Sequence, residues 1–126
     1  MILDSNIVII ASKLVQIKLI NYLRSNETSL KTSLLVQVEV LGYDQLKQIE
    51  KLFLEKFFNA IEILPINEAV ALKAIEIRQR KPIMLADAII AATAIVHNEI
   101  LFTENVKDYA GIKDLQVVSI KDILEE

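Results

Sequence analysis

LADAIIAATAIVHNEILFTENVKDY, residues 85–109, carries the pattern that decides the fold. From Leu85 to about Asn98 it is apolar almost all round, as expected for a helix buried in the middle of a domain rather than lying on its surface. Its longest apolar run, AIIAATAIV over 88–96 with one threonine, is far too short to span a bilayer. EILFT then reads as a short buried strand and TENVKDY as a polar segment after it. A buried helix feeding a buried strand is the unit of a parallel sheet covered on both faces.

The same alternation extends outward in both directions. MIL is a short, fully buried strand that ends at Asp4. Ile17, Ile20 and Leu23 recur at helical spacing up to RSNETS, a loop. LKTSLL reads as a second strand, followed by a helical segment carrying Glu39 and closing near Gly42. Leu46, Ile49, Phe53 and Phe57 mark an amphipathic helix, and IEILP a strand stopped by Pro65. Asn67 is placed to cap a helix that closes in RQRK before Pro82. LQVVSI and KDILEE supply a last strand and a short helix. The expected fold is therefore an α/β/α sandwich with a mainly parallel central sheet, one domain over residues 1–126.

Composition excludes several chemistries. There is no cysteine, one histidine and two glycines. Thiolate zinc sites, His-based triads and glycine-rich phosphate loops therefore lack their parts. The net charge of −3 gives no overall attraction to nucleic acid, so phosphate contact needs a local basic patch or a bound cation. No secretory signal is expected at the start, where Asp4 interrupts the apolar stretch, and the expected compartment is the cytoplasm. An apolar fraction of 53% leaves surface for self-association or a protein partner.

Three acids stand in surroundings that do not suit them. Asp4 follows a buried strand, Glu39 lies in SLLVQVEVLGY, and Asp87 opens the most hydrophobic helix. Each has a plain structural reading: Asp4 as a helix cap, Glu39 on a solvent-facing strip, Asp87 as a first-turn acid favoured by the helix dipole. If the three meet, those readings fail together, because basic partners are scarce in the same segments. Carboxylates gathered at the carboxyl edge of a parallel sheet repel one another. Without Cys or His, a hard divalent cation such as Mg²⁺ or Mn²⁺ is the usual remedy, and such a site suits phosphodiester hydrolysis.

These residues fall in four anchors: MILDSNIVI, SLLVQVEVLG (33–42), LADAIIAATA (85–94) and LFTENVKDY (101–109). In that order they resemble the PIN-domain ribonucleases and, in size, the VapC-like toxins of prokaryotic toxin–antitoxin pairs. The resemblance implies that Asp4, Glu39 and Asp87 bind the metal. It implies that Thr103 supports the site, that Asn6 orients the first acid, and that Ser5 keeps a hydroxyl where Thr is common. Val36 stands where Thr or Ser is frequent. Asn105 occupies the family's fourth acidic position and Asp108 is the nearest carboxylate, so one well-occupied metal site is expected.

The implied activity is a Mg²⁺- or Mn²⁺-dependent endoribonuclease in which a metal-activated water cleaves RNA. The implied partners are a small antitoxin and a second copy in a homodimer, with no membrane. Arg78, Arg80, Lys81 and Lys13, the last read as lying on the second helix with Lys18 and Arg24, are candidate RNA contacts, each with an equally plain reading as a solvated charge; His97 is expected to be a packed helix end. The alternative is a catalytically weak PIN-like scaffold that binds RNA or a protein. A phosphatase or phosphoacceptor domain would need an acidic pair near the first strand, where Ser5 and Asn6 stand instead.

Overall fold

In the computed structural model, which describes residues 1–125, five strands form one sheet in the order β3-β2-β1-β4-β5, every neighbouring pair parallel. The strands are β1 Ile2–Leu3, β2 Lys31–Ser33, β3 Glu62–Leu64, β4 Leu101–Phe102 and β5 Val117–Val118. They are short, and after β1, β2 and β5 a helix begins within two residues of the carboxyl end. LKTSLL divides this way: Lys31–Ser33 is strand, and Leu34 already belongs to the next helix.

The helices are α1 Ser5–Ser12, α2 Ile17–Ser25, α3 Leu34–Leu41, α4 Gln48–Ala60, α5 Glu68–Arg80, α6 Leu85–Val96 and α7 Ile120–Leu124, with a 3₁₀ turn at Val106–Tyr109. They flank the sheet in an α/β/α arrangement, as expected. The Asn67 side chain caps α5, accepting from the Val70 amide at 3.0 Å. Ser33 caps α3 in the same way through the Leu35 amide.

α6 is less uniformly buried than its composition suggests. Ala88, Ile90, Ala91, Ala92, Thr93 and Ala94 are buried, but Leu85 at its start and Met84 before it are exposed. The small side chains let α5 lie close along α6. No single helix among the described residues is long and apolar enough to cross a membrane.

Strand order matters for function. From β1 the chain steps to β2 and β3 on one side, then returns to place β4 on the other side. The β1–β4 boundary is thus the point where the direction of winding reverses, and in such sheets the crevice outside the carboxyl ends opens there. Asp4 leaves β1 and Thr103 leaves β4 at that boundary, with the Asp4 amide donating to the Phe102 carbonyl at 2.9 Å.

Candidate active site at the carboxyl edge of the sheet

Asp4 is 2% exposed and is held from all sides. Its Oδ1 accepts from the Ser5 amide at 2.8 Å and, at 3.5 Å, from the Ser5 hydroxyl. Its Oδ2 accepts from the Thr103 hydroxyl at 2.7 Å, the Tyr109 hydroxyl at 3.0 Å and Asn6 Nδ2 at 3.3 Å. Asp4 is also the N-cap of α1, so the plain structural reading is true as well. Capping does not account for the three donors on Oδ2, two of which come from the segment after β4.

Thr103 and Asn6 tie the edge together. The Thr103 hydroxyl accepts from Asn6 Nδ2 at 3.1 Å and from the Asn105 amide at 3.0 Å. Asn6 Oδ1 accepts from the Glu104 amide at 3.1 Å. One threonine and one asparagine therefore fix the turn after β4 against the start of α1.

Asp87 sits in the first turn of α6, half-buried, where Tyr109 reaches its Oδ1 at 3.3 Å. Burial raises the Asp87 pKa above the usual carboxylate range, with the Asp4 charge adding to it and the Tyr109 hydrogen bond opposing. Glu39 is exposed on α3 as a residue, but partial desolvation of its carboxyl raises its pKa, with the charges of Asp4 and Asp87 adding to this and Ser5 opposing. The three acids, far apart in sequence, therefore feel one another across one edge. Among the described residues no ion pair reaches any of them.

The donor chemistry fits a hard divalent cation: carboxylate oxygens only, with unneutralised charge at a sheet edge. The spacing is open, however. Among the described residues, no group of three acidic or imidazole side chains is close enough to hold a metal ion as it stands. Asp4 and Asp87 are both tied to the Tyr109 hydroxyl, and Glu39 is the exposed member of the three. Like charges at such spacing repel one another.

The fourth position divides. Asp108 is exposed beside Asp87, whose pKa its charge raises. Both line a cleft of about 250 Å³ with Lys81, Ile83, Met84 and Lys107. Asn105 precedes the 3₁₀ turn and lines an adjoining cleft with Glu104 and Val106 that shares Lys107 and Asp108 with the first.

The basic residues are largely engaged. Lys81 Nζ donates to the Ala110 carbonyl at 2.7 Å and the Asp108 carbonyl at 3.2 Å, clasping the 3₁₀ turn. Arg78 Nε donates to the Ile83 carbonyl at 3.3 Å, and Arg80 lies 3.7 Å from Glu76. Lys13 ends α1 rather than lying on α2, and pairs with Glu50 at 2.9 Å. His97 closes α6 at the end opposite Asp87.

Sequence reading gave Tyr109 no role. Its ring is buried, its hydroxyl touches both Asp4 and Asp87, and burial beside those charges pushes its pKa far above the phenol range. The available signal was its place at the end of TENVKDY, a buried-type aromatic closing a polar segment.

The raised pKa of Asp87 has a measurable consequence. A carboxyl whose folded pKa lies above its unfolded value contributes stability below the unfolded pKa and loses it as pH rises through the folded one. At neutral pH the charged Asp87 therefore weakens the metal-free fold. Asp87→Asn is expected to raise metal-free stability at pH 7 by about 1 kcal/mol or less, the partly solvated carboxyl limiting the gain. The difference should vanish as pH falls below the unfolded carboxylate pKa. Urea titrations of both proteins across that range check it; a variant less stable than wild type at pH 7 contradicts it.

The model of the PIN domain family matches residues 1–110. Among curated proteins, none matches the sequence. The structure is similar to a chain of a toxin–antitoxin complex from Klebsiella pneumoniae, at 28% identity, TM-score 0.75 and coverage of 93% of this chain and 94% of that one. It is similar to a chain of VapBC2 from Rickettsia felis bound to a DNA fragment from their promoter (23%, 0.81, 94% and 96%). A chain of DNA-bound VapBC from Salmonella typhimurium shares the fold at 18% identity, with TM-score 0.82 and coverage of 94% and 96%.

Proposed function

The chain belongs to the PIN domain family, and from that premise we propose that it is a Mg²⁺- or Mn²⁺-dependent endoribonuclease, the toxin of a toxin–antitoxin pair. The observation that carries the proposal is the meeting of Asp4 and Asp87 at the β1–β4 switch point, both within hydrogen-bond reach of the Tyr109 hydroxyl, with the charges of both acting on Glu39. In this reading those three hold the cation, Thr103, Asn6 and Ser5 fix Asp4, and Asp108 or Asn105 completes the site. Bound there, the cation supplies an acidified water and countercharge for the developing oxyanion.

The chain's own residues do the remaining work. Asp4 keeps one orientation because five donors surround it. Asp87 and Asp108 line one side of the cleft, and Lys107 and Lys81 give that same cleft positive charge for a phosphate. A second cleft shares Lys81 with the first and carries Lys73, Arg80 and Lys113 against Glu76 and Asp114, a net positive wall along α5. A single RNA strand crossing both would place its backbone over these cations and a phosphodiester at the acids.

The reading includes one PIN-like domain over residues 1–126, a cytoplasmic location and a small antitoxin that covers the site. The Klebsiella relative, itself from a toxin–antitoxin complex, supports that pairing. Exposed Leu34 and Val38 on α3, with Leu72 and Ile75 on α5, offer apolar surface for the antitoxin or for a second copy in a homodimer. The alternative, a PIN-like scaffold that binds RNA or protein without cleaving, draws on the open spacing of the acids.

An assay of purified protein on single-stranded RNA, with Mn²⁺ or with EDTA, separates the two. Cleavage only with the metal supports the enzyme; binding without cleavage in Mn²⁺ supports the scaffold. Arg78→Glu with Arg80→Glu is expected to weaken RNA binding and to lower the salt slope by about 0.7 for each phosphate that is no longer neutralised. An unchanged slope removes both arginines from the interface.

A further inference from the structure

Tyr109 is 2% exposed, yet its hydroxyl emerges at the acidic edge, 3.0 Å from Asp4 Oδ2 and 3.3 Å from Asp87 Oδ1. A phenylalanine would fill the same core volume, so packing does not explain the oxygen. The phenol has one proton and sits between two acceptors, so it donates to one carboxylate at a time. Either way, a single oxygen spans the gap between the first acid and the third.

The two carboxylates depend on it unequally. Asp4 keeps its bonds to Ser5, Asn6 and Thr103 when the hydroxyl is removed. Asp87 has no other side-chain hydrogen bond among the described residues, so its orientation rests on Tyr109 alone. The hydroxyl is itself well placed for this, since Lys81 clasps the turn that carries it through the Asp108 and Ala110 carbonyls.

We infer that Tyr109 is a positioning residue, whose hydroxyl holds Asp87 at a fixed spacing from Asp4 so that both can serve one divalent cation. The inference rests on the reading of these acids as a cation site. It extends that reading to a group that is not itself an acid, acting as the hydrogen-bonded support behind a metal ligand.

The test is calorimetric titration of the RNA-free protein with Mn²⁺, comparing wild type, Tyr109→Phe and Tyr109→Leu. Loss of a supporting hydrogen bond behind a ligand weakens metal affinity by about 10–100-fold. Tyr109→Phe is expected to show a loss in that range while melting close to wild type. Its RNA cleavage should recover as Mn²⁺ is raised, a dependence that a packing role alone would not produce. Tyr109→Leu should melt lower and lose no more affinity than the Phe variant. Equal Mn²⁺ affinity in wild type and Tyr109→Phe, or a loss confined to Tyr109→Leu, overturns the inference alone. A wild type that binds no Mn²⁺ brings down the cation site and this inference with it.

Discussion

Asp87→Asn is expected to lose Mn²⁺-dependent RNA cleavage by more than about 100-fold, since removing a supporting group alone costs about 10–100-fold in metal affinity or activity. The fold should survive. The amide keeps the size of the carboxyl, can still meet the Tyr109 hydroxyl, and removes a charge that Asp4 disfavours. Asp4→Asn should lose cleavage as fully but is a harsher change. An amide nitrogen cannot accept, so at least one of the Ser5, Asn6, Thr103 and Tyr109 donors loses its partner. Leaving a buried donor unsatisfied costs about 1–3 kcal/mol. The informative pair of measurements is thus cleavage rate and urea midpoint on the same preparations. Full RNase activity in Asp87→Asn would refute the mechanism.

The second large effect is structural. Phe102→Ala is expected to destabilise the protein by about 3–5 kcal/mol, the usual cost of emptying a buried aromatic site. Phe102 is fully buried on β4, pairs with Leu3 of β1 and Val118 of β5, and meets the Tyr22 ring edge-on at 6.1 Å. That loss is a large share of a typical domain's stability. It also reaches function, because Thr103 follows directly and depends on β4 for its approach to Asp4. Denaturant midpoints for Phe102→Ala and Phe102→Leu check it, the leucine variant losing much less. A near-wild-type midpoint for the alanine variant would mean that the ring does not hold β4.

Much of this architecture is legible in the residues. MIL and ILF are apolar runs too short for helices, IL before Pro65 is another, and the segments between them carry helical spacing, so a layered α/β fold follows. The turn between α1 and α2 is not legible in the same way. Leu14 adopts a left-handed backbone, φ 61°, without glycine or asparagine to announce it. Lys13 consequently reads as part of the next helix, although it ends the one before. Strand order is hidden for a different reason: it depends on which distant segments pair, and no local period encodes that.

The acids show themselves because charge in an apolar run is conspicuous. Tyr109 escapes because a phenol is at home in a core or at an edge, and its 3₁₀ turn is too short for a periodic pattern. Lys81 looks free in RQRK because nothing local reveals the carbonyls of residues 108 and 110 that it grips.

The central place of β1 bears on when the protein becomes competent during synthesis. Asp4 is made well before the groups that hold it, since two of its hydroxyl donors stand 99 and 105 residues downstream. At ordinary translation rates that interval is about 5–20 seconds. A nascent chain on the ribosome therefore carries Asp4 with only its neighbours Ser5 and Asn6 to meet it until the fourth strand and the turn beyond it have emerged, and the acidic edge is assembled only then.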